Sequence, residues 1–394
     1  MFDMQQLPSR TDVLVAGAGP TGLTLAAELR RRGISALIVD RLAEGENTSR
    51  AAVVHAHTLE VLEPLGVSPT LIAQGVKVPV FRVRDRDTTL LTLDFRGIPS
   101  AYAYTLMCPQ NRIEAILLER LRALGGNVVR PAEVKGIELC ANGAQVQIKK
   151  VAIETDGVAQ TLETRWLIGC DGMHSRVREA AGITFAGEAY QQSFVLADVH
   201  MDWPLPREEV NLFFSPDGLV VVAPLPEDRF RIVGTVDDAP STLSVQDVQA
   251  LLDTRGPQSS PARIRDCVWT SRFRVHHRIA ESPRKGRVLL CGDAAHVHSP
   301  AGGQGMNTGI QDAMSLADVL ADVLGGAEES RLDGWAAKRH EIAEGVVTLT
   351  DRLTRIATLR SPVSRALRNA ALVFAGYVPP LTGALARNIA ELDN

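Results

Sequence analysis

The pattern of hydrophobic and polar residues predicts a strand, a helix and a second strand at the start of the chain. Residues 12–16 form a short apolar run, residues 22–32 are rich in helix-forming side chains, and residues 36–40 form a second apolar run. A strand–helix–strand unit within about 30 residues is typical of parallel sheets. The opening of the chain therefore predicts an α/β fold.

A different pattern follows between residues 190 and 275, where apolar positions alternate as they do in strands. Proline, glycine and aspartate separate the predicted strands, which cover 193–201, 210–214, 218–223 and 229–235. Further β-type patterns occur at 78–93, at 145–160 as a hairpin, and at 165–169 as a buried strand. Helical periodicity is found at 111–124, 306–324 and 335–357. We therefore expect an antiparallel sheet inserted into a discontinuous α/β domain.

Composition and charge exclude some classes of protein. The chain has 394 residues, of which 45% are hydrophobic and 22% charged, and its formal net charge is −4. A nucleic-acid-binding protein would need a basic surface, so nucleic acid is not an expected partner. The five cysteines lie far apart, without CxxC or Cys/His ligand spacing. This spacing argues against disulfides and zinc and predicts reduced thiols in a cytoplasmic protein.

Two segments bear on membranes. Residues 1–10 lack the apolar core of a signal peptide, so none is expected. Residues 370–386 are apolar, but Pro379 and Pro380 interrupt them, which argues against a spanning helix. We expect this stretch to pack onto the body of the protein, and loose contact with a membrane surface is the less favoured alternative.

The first candidate for chemistry is the segment Gly-Ala-Gly-Pro-Thr-Gly at 17–22, which fits G-x-G-x-x-G between a strand and a helix. Gly17 permits a tight turn, Gly19 lets the backbone approach a pyrophosphate, and Gly22 allows close packing of helix on strand. The phosphates would lie at the helix N-terminus, where free N–H groups favour negative charge. Asp40 ends the second strand about 20 residues later, where it can accept ribose hydroxyls. The alternative is a glycine-rich turn without a ligand.

The second candidate, residues 169–178, places Asp171 at the end of a predicted strand. Ser175 follows as the predicted N-cap of the next helix. Considered alone, Asp171 is equally well explained as a turn residue.

The third candidate, residues 287–307, is an apolar strand that ends in Gly-Asp and continues into a glycine-rich turn. Asp293 can accept hydrogen bonds from a polyol chain, and the glycines after it leave room for a planar ring against the main chain. The helix that starts near Met306 directs its positive end towards that ring.

Three motifs in this order resemble the class A flavoprotein monooxygenases, the aromatic hydroxylases of the para-hydroxybenzoate hydroxylase type. The GxGxxG motif with its acid, the DGxxSxVR segment and the GDAAHxHxPxGGQGxNxGxxDA segment are all present, and the resemblance covers essentially the whole chain. It implies a Rossmann-like FAD-binding domain (GR2-type) with an inserted antiparallel β-sheet substrate domain and C-terminal helices. It also implies noncovalent FAD, reduction by NADPH or NADH, and oxygen transfer from O2 to an electron-rich ring through a flavin C4a-hydroperoxide.

The resemblance assigns the adenosine side of FAD to the first motif. The pyrophosphate would be held by Gly17, Gly19, Pro20, Thr21 and Gly22. The ribose would be held by Asp40, with Arg41 beside it. Gln110 and Arg112 match positions that contact the ribityl–pyrophosphate region.

The flavin side is assigned to the other motifs. Asp171 resembles an aspartate near FAD that is also implicated in NAD(P)H binding, and Asp293 would bind the ribityl chain. Arg50 matches an arginine near the flavin and the nicotinamide phosphates. The isoalloxazine would be lined by Pro300, Gly302, Gly303, Gln304, Gly305, Met306 and Asn307. Oxygen transfer needs a dry pocket with hydrogen-bond donors beside the isoalloxazine. The predicted catalytic residues at this pocket are Arg50, Pro300 and Gly303.

The resemblance also divides the chain. The FAD-binding domain is expected over 1–77, 101–185 and 276–330, substrate-domain strands over 78–100, the substrate sheet over 186–275, and C-terminal helices over 331–394. Many phenol-hydroxylase members carry an additional thioredoxin-like domain, and we expect none here. A monomer or homodimer is expected to bind a small aromatic substrate.

No family motif covers the substrate residues, so these are chosen by position. Apolar and aromatic side chains on the inserted sheet could stack on a flat ring: Phe81, Phe213, Phe214, Val222 and Pro224. For each of them, packing in the core is the favoured alternative.

Several histidines and one acid are expected to have structural roles and not to bind a metal or take part in catalysis. His296 and His298 have a spacing that could suit a metal, but no third ligand has matching context, so no metal site is expected. His55 and His57 are expected to be structural, and Asp312 is expected to brace the loop or face solvent.

Two other functions remain open beside hydroxylation. Flavin halogenases share the FAD module, but their W-x-W-x-I-P signature is absent because the tryptophans are isolated, at Trp166, Trp203, Trp269 and Trp335. The chain could also be a flavin- or nucleotide-binding protein of the same fold with other redox chemistry or without turnover.

Overall fold

The computed structural model describes residues 7–45, 51–142, 145–237 and 243–393. Its strands are β1 (Arg10–Ala16), β2 (Ala36–Val39), β3 (Val53–Val54), β4 (Val76–Val78), β5 (Val80–Asp85), β6 (Thr88–Asp94), β7 (Thr105–Met107), β8 (Val128–Val129), β9 (Ala132–Asn142), β10 (Gln145–Thr155), β11 (Val158–Gly169), β12 (Phe185–Asp202), β13 (Glu209–Ser215), β14 (Gly218–Pro224), β15 (Arg229–Val236), β16 (Arg263–Ala280), β17 (Arg284–Lys285), β18 (Val288–Leu290) and β19 (His296–Val297).

The helices lie between these strands and after them. They are α1 (Pro20–Arg31), α2 (Ala56–Val61), α3 (Ser68–Gln74), α4 (Gln110–Ala123), α5 (Arg176–Ala180), α6 (Val245–Arg255), α7 (Gly305–Leu324), α8 (Arg331–Ala357), α9 (Pro362–Gly376) and α10 (Pro379–Ile389). The amphipathic pattern predicted at 111–124 corresponds to α4, whose residues Ile113, Ile116, Leu117 and Leu121 are buried.

One sheet carries the dinucleotide-type elements, in the order β17-β18-β11-β1-β2-β8, with β10 and β9 attached through β11. β1 runs parallel to both β2 and β11, and β11 runs parallel to β18. In this register Ala16 lies opposite Gly169, and Gly169 lies opposite Leu290. The carboxyl ends of these three strands therefore meet at one edge of the sheet, and the segments that follow them are the three motifs.

The second sheet has the order β19-β16-β12-β15-β14-β13-β5-β6. The strands between 190 and 275 pair antiparallel with one another, as predicted, whereas β5 runs parallel to β13. β5 comes from an earlier part of the chain, and no hairpin turn fixes its direction against β13. A short third sheet has the order β3-β7-β4.

The segment from 145 to 169 differs from its prediction in one respect. The sequence pattern suggests a hairpin over 145–160 and a separate strand at 165–169, whereas β11 runs without a break from Val158 to Gly169. Its first half pairs with β10 and its second half pairs with β1. The exposed alternating half and the buried apolar half have different patterns because their neighbours differ.

The helices cover the first sheet and join the two sheets. α1, α4 and α7 share one core cluster with β1 and β11. A second cluster brings the second sheet together with Ala52, Ala56, Met107 and the C-terminal residues Ala357, Ala386 and Ala390. Val54 of the same segment belongs to the first cluster, so segment 52–56 lies between the two sheets.

The C-terminal helices have the most exposed apolar side chains. Among the residues that the structure describes, no single helix is long and apolar enough to cross a membrane, while α9 and α10 together pass that test but are bent by 100°.

Candidate functional site

The first glycine motif forms a tight turn at the end of β1. Gly17 has a φ of 99°, and its N–H donates to Val39 O at 2.8 Å. A Cβ at this position would lie 2.3 Å from the carbonyl oxygen of Cys170. The first motif is thus packed directly on the second, and a glycine is required here both by the backbone angle and by the space.

Gly19 and Gly22 differ in the space that is available for a side chain. A Cβ on Gly22 would lie 1.9 Å from Gly17 O, whereas a Cβ on Gly19 would have no atom within 4 Å. Gly19 is the N-cap of α1, no side chain caps this helix, and no acidic residue lies in its first turn. The free N–H groups of α1 therefore face an open space that suits a phosphate.

Asp40 holds the same turn from the other side. Its carboxylate accepts hydrogen bonds from Ala18 N at 2.7 Å and from Leu42 N at 2.9 Å. Arg41 is exposed beside it. Arg130 lies outside the sequence motifs, but it donates from Nη2 to Ala18 O at 3.3 Å, so a guanidinium also lies at this turn.

The second motif is a helix cap. Ser175 accepts a hydrogen bond from Arg178 N and is the N-cap of α5, as predicted. Asp171 accepts from the Ser175 hydroxyl and from Arg176 N at 2.8 Å and Val177 N at 3.2 Å. Burial raises the pKa of Asp171 above its usual value, although these donors oppose the shift. Its carboxylate is thus hydrogen-bonded to the N-terminus of α5.

The third motif begins at the end of β18. Gly292, with a φ of 60°, donates from its N–H to Asp312 Oδ2 at 2.9 Å, and a Cβ on it would lie 2.7 Å from Thr21 Oγ1. Asp293 follows and is exposed at the same edge of the sheet as the N-terminus of α1. Close packing of α1 on this turn therefore brings Asp293 towards the open space at Gly19.

Asp312 braces the turn from within the core. It accepts from His296 Nε2 at 2.7 Å and pairs with Arg339. Burial alone would raise the pKa of Asp312, but Arg339 and His296 outweigh it and lower the pKa to about 2. His296 is thus occupied by a carboxylate, and no group of three or more possible metal-ligating side chains is found in the described ranges.

The turn before α7, which we call the glycine loop (residues 300–305), has a backbone that only glycine adopts readily. Gly302 and Gly303 have φ angles of 83° and 69°. A Cβ on Gly303 would lie 2.7 Å from Cβ of Val53. The glycine loop is therefore pressed against segment 51–55, while Pro300 at its start is exposed.

His55 and Asn307 hold the glycine loop against that segment. His55 Nε2 donates to Gly302 O at 2.7 Å, and His55 N donates to Asn307 Oδ1 at 2.9 Å. Asn307 Nδ2 donates to Val53 O at 2.9 Å and to Gly303 O at 2.7 Å. Burial lowers the pKa of His55 to about 4, so the ring stays neutral with its proton on Nε2. Both side chains have a structural role in shaping the loop.

The other residues of the third motif surround the start of α7. Gln304 is buried and donates to Ile389 O at 3.1 Å, while Gly305 and Met306 are partly exposed. His298 donates from Nδ1 to Ser299 O at 3.0 Å, and burial lowers the pKa of this ring to about 4. A Cβ on Gly305 would touch Nε2 of His298 at 3.7 Å, so this histidine lies behind the first turn of α7.

Two residues assigned from the PQNR segment contact different neighbours. Gln110 accepts from Ala51 N at 3.2 Å and donates to Glu114 Oε1 at 2.9 Å, which joins α4 to segment 51–55. Arg112 pairs with Glu227 at the turn between β14 and β15. Arg50 lies outside the described residues.

A buried ion pair of the second sheet, unnoticed in the sequence, also reaches segment 51–55. Arg231 forms two 2.8 Å hydrogen bonds to Asp198 and donates to Ala51 O at 3.0 Å. The two residues lie opposite each other on β15 and β12, but are 33 positions apart in sequence. Only strand pairing brings them together.

The substrate candidates divide between the two faces of the second sheet. Phe81 and Phe214 belong to the cluster with Ala52, Met107 and the C-terminal residues Ala386 and Ala390. Phe213 and Val222 belong to the cluster that packs against α6, because successive residues of a strand face opposite ways. Pro224 is buried and lies opposite Phe230, a member of the α6 cluster.

The fold and the site define a dinucleotide-binding α/β protein with a second sheet beside the strand ends. Comparison with known proteins gives its family: the chain belongs to the class A FAD-dependent aromatic hydroxylases, since the family model described as "FAD binding domain" matches residues 10–350.

Individual relatives agree with this assignment. The chain is 37% identical over 377 residues to 6-methylpretetramide 4-monooxygenase of Streptomyces rimosus, covering 94% of this chain and 66%, about two thirds, of that protein. Among solved structures, anhydrotetracycline hydroxylase from Streptomyces rimosus has a TM-score of 0.79 and 34% identity, over 98% of this chain and 76% of that one. For p-nitrophenol 4-monooxygenase from Pseudomonas putida DLL-E4 the TM-score is 0.86 over 98% and 99% of the chains, but the identity of 24% supports the fold alone.

These comparisons confirm the predicted family, fold class and FAD cofactor. The observed edge fits that cofactor in three respects: an uncapped helix N-terminus, open space at Gly19, and exposed Asp293 beside it. The roles of single residues and the domain boundaries remain predictions.

Proposed function

We propose that this protein is an NAD(P)H- and FAD-dependent monooxygenase that hydroxylates a small aromatic molecule. The observation that carries the proposal is the meeting of three motifs at one strand edge, where Ala16, Gly169 and Leu290 lie side by side. Bound FAD would supply the redox chemistry, accepting electrons from the nicotinamide and activating O2.

The residues of the chain would bind and orient this cofactor. The N-terminus of α1 would take the pyrophosphate at Gly19, Asp40 the adenosine ribose, and Asp293 the ribityl chain. The glycine loop, held by His55 and Asn307, would pack against the isoalloxazine, and α7 would direct its N-terminal N–H groups at the ring.

The substrate would lie between the glycine loop and the second sheet. Of the five candidates, Phe81 and Phe214 are favoured because they lie on one face of the second sheet, in a cluster with Ala52, and the adjacent Val53 contacts Gly303 of the glycine loop. Phe213, Val222 and Pro224 are on the opposite, α6 side. Apolar walls on this face would keep water from the ring that is oxidised. A phenolic, heteroaromatic or polyketide-like ring is proposed, and the similarity to a 6-methylpretetramide monooxygenase and an anhydrotetracycline hydroxylase supports a ring substrate. A cytoplasmic monomer or homodimer is proposed from the sequence.

Turnover of the purified protein with FAD tests the proposal. Oxidation of NADH and NADPH is measured with and without a panel of phenols, and products are analysed after reaction under ¹⁸O₂. We expect at least one compound to stimulate oxidation and to gain one labelled oxygen atom. If FAD binds but no compound is hydroxylated, the protein has other redox chemistry or no turnover.

A further inference from the structure

The turn after α10 is buried although it contains an acidic residue. Ala390 and Glu391 are 2% and 0% exposed. Glu391 has a φ of 61°, in the left-handed region that glycine normally occupies at the end of a helix. A non-glycine residue keeps such an angle only where its surroundings hold it. The contacts of Glu391 and its neighbours show what those surroundings are.

Each residue of the turn Ile389–Glu391 contacts a different part of the cofactor domain. Ile389 O accepts from Gln304 Nε2 in the glycine loop at 3.1 Å, and Ala390 O accepts from His57 N in α2 at 3.3 Å. The Glu391 carboxyl accepts from Gln311 Nε2 in α7. The turn is therefore hydrogen-bonded to the glycine loop, to α2 and to α7.

The surroundings of Glu391 favour its uncharged form. Burial raises the pKa of Glu391 to about 8, against the opposing effects of Gln311, Thr58 and Arg339, and Asp312 adds to the rise. The nearby cation Arg339 already pairs with Asp312. At neutral pH the Glu391 carboxyl is thus an uncharged hydrogen-bonding group and not an ion-pair partner.

We propose that the turn Ile389–Glu391 is a positioning element of the FAD site, which fixes Gln304 and thereby the glycine loop from behind. The proposal rests on the function proposed above, because it takes the glycine loop to be the flavin-lining segment. Gln304 is 1% exposed, and its Nε2 atom reaches the turn at Ile389 O. Loosening the turn would free this side chain and allow the loop to move away from the flavin.

The test compares FAD binding by three variants of the turn. Glu391→Ala removes the acceptor of Gln311 and leaves a void, so we expect FAD affinity about tenfold weaker and less quenching of bound flavin fluorescence. Glu391→Gln keeps size and polarity and is expected to restore most of the affinity. Asp393→Ala is the matched control, since Asp393 is an exposed acid two residues beyond the turn and pairs with Arg387 at 3.8 Å.

The FAD affinities of these variants decide between support for the proposal and its rejection. The positioning role is supported if Glu391→Ala binds FAD more weakly than the wild type while the affinity of Asp393→Ala is unchanged. Equal FAD affinity in all three variants overturns it. If the wild type itself does not bind FAD, the proposed function fails first. Circular dichroism of the apoproteins shows whether Glu391→Ala is folded.

A second measurement decides the matter if Glu391→Ala does not fold. An acid whose pKa rises on burial favours the buried state at low pH, and this preference declines as the pH rises from about 4.5 to about 8. We therefore expect wild-type FAD affinity to fall between pH 6 and pH 8.5 relative to that of Glu391→Gln. Parallel pH profiles for the two proteins overturn the proposal.

Discussion

The second and third glycines of the first motif, Gly19 and Gly22, allow the effect of a substitution on stability to be separated from its effect on cofactor binding. Gly19 and Gly22 are three positions apart, but an added Cβ meets nothing within 4 Å at Gly19 and meets Gly17 O at 1.9 Å at Gly22. Gly19→Ala should therefore leave the apoprotein nearly intact, whereas Gly22→Ala should strain it. The pair offers a test in which each variant is the control of the other.

The expected magnitudes follow from the geometry. For Gly19→Ala we expect a loss of stability of about 0.5–1 kcal/mol, because alanine is a poor N-cap. For Gly22→Ala we expect about 1–3 kcal/mol, because the turn and α1 must separate. A methyl group on Gly19 would hold the phosphate away from the helix N–H groups, and losing one charge-assisted hydrogen bond, about 1.5–3 kcal/mol, corresponds to at least a tenfold weaker affinity.

Two assays measure these effects. Urea unfolding of the apoproteins gives the stability, and titration with FAD, followed by flavin fluorescence, gives the dissociation constant. The reasoning is refuted if Gly19→Ala binds FAD as tightly as the wild type, or if it destabilises the apoprotein as much as Gly22→Ala does.

Two further predictions concern the third motif. Asp293→Ala should weaken FAD binding about tenfold or more through loss of a charge-assisted hydrogen bond, with Asp202→Ala in the second sheet as a control; unchanged retention of flavin during purification would contradict this role. Asp312, with its pKa lowered to about 2, should contribute about 2 kcal/mol above pH 4. That stability should be lost as the pH falls from about 4 to about 2, and Asp312→Asn should flatten this part of the unfolding profile; an unaltered profile would show that another group is responsible.

The sequence made the cofactor edge predictable because each motif combines local backbone needs with a strand end. Gly17 and Gly292 occupy turns with positive φ, and Ser175 caps the helix that follows it. Such features depend on near neighbours in the chain, so spacing alone reveals them. The resemblance to a known family then supplied the ligand that the local pattern left open.

The second sheet was less predictable. Alternating apolar residues indicate strands, but they do not tell which face meets the site or whether β5 runs parallel or antiparallel to β13. For this reason Phe213 and Phe214 were equal candidates in the sequence, whereas the structure places them in different clusters.

By itself, the sequence determined the strand–turn–helix units and the acids and glycines that mark a cofactor site. Only the tertiary structure decided how these units are braced: Asp312 between Gly292 and Arg339, His55 on Gly302, and Glu391 on Gln311. The reason is physical. A cap or a tight turn is specified by residues a few positions apart, but a buried polar group needs a partner that only the packed chain brings within hydrogen-bond distance.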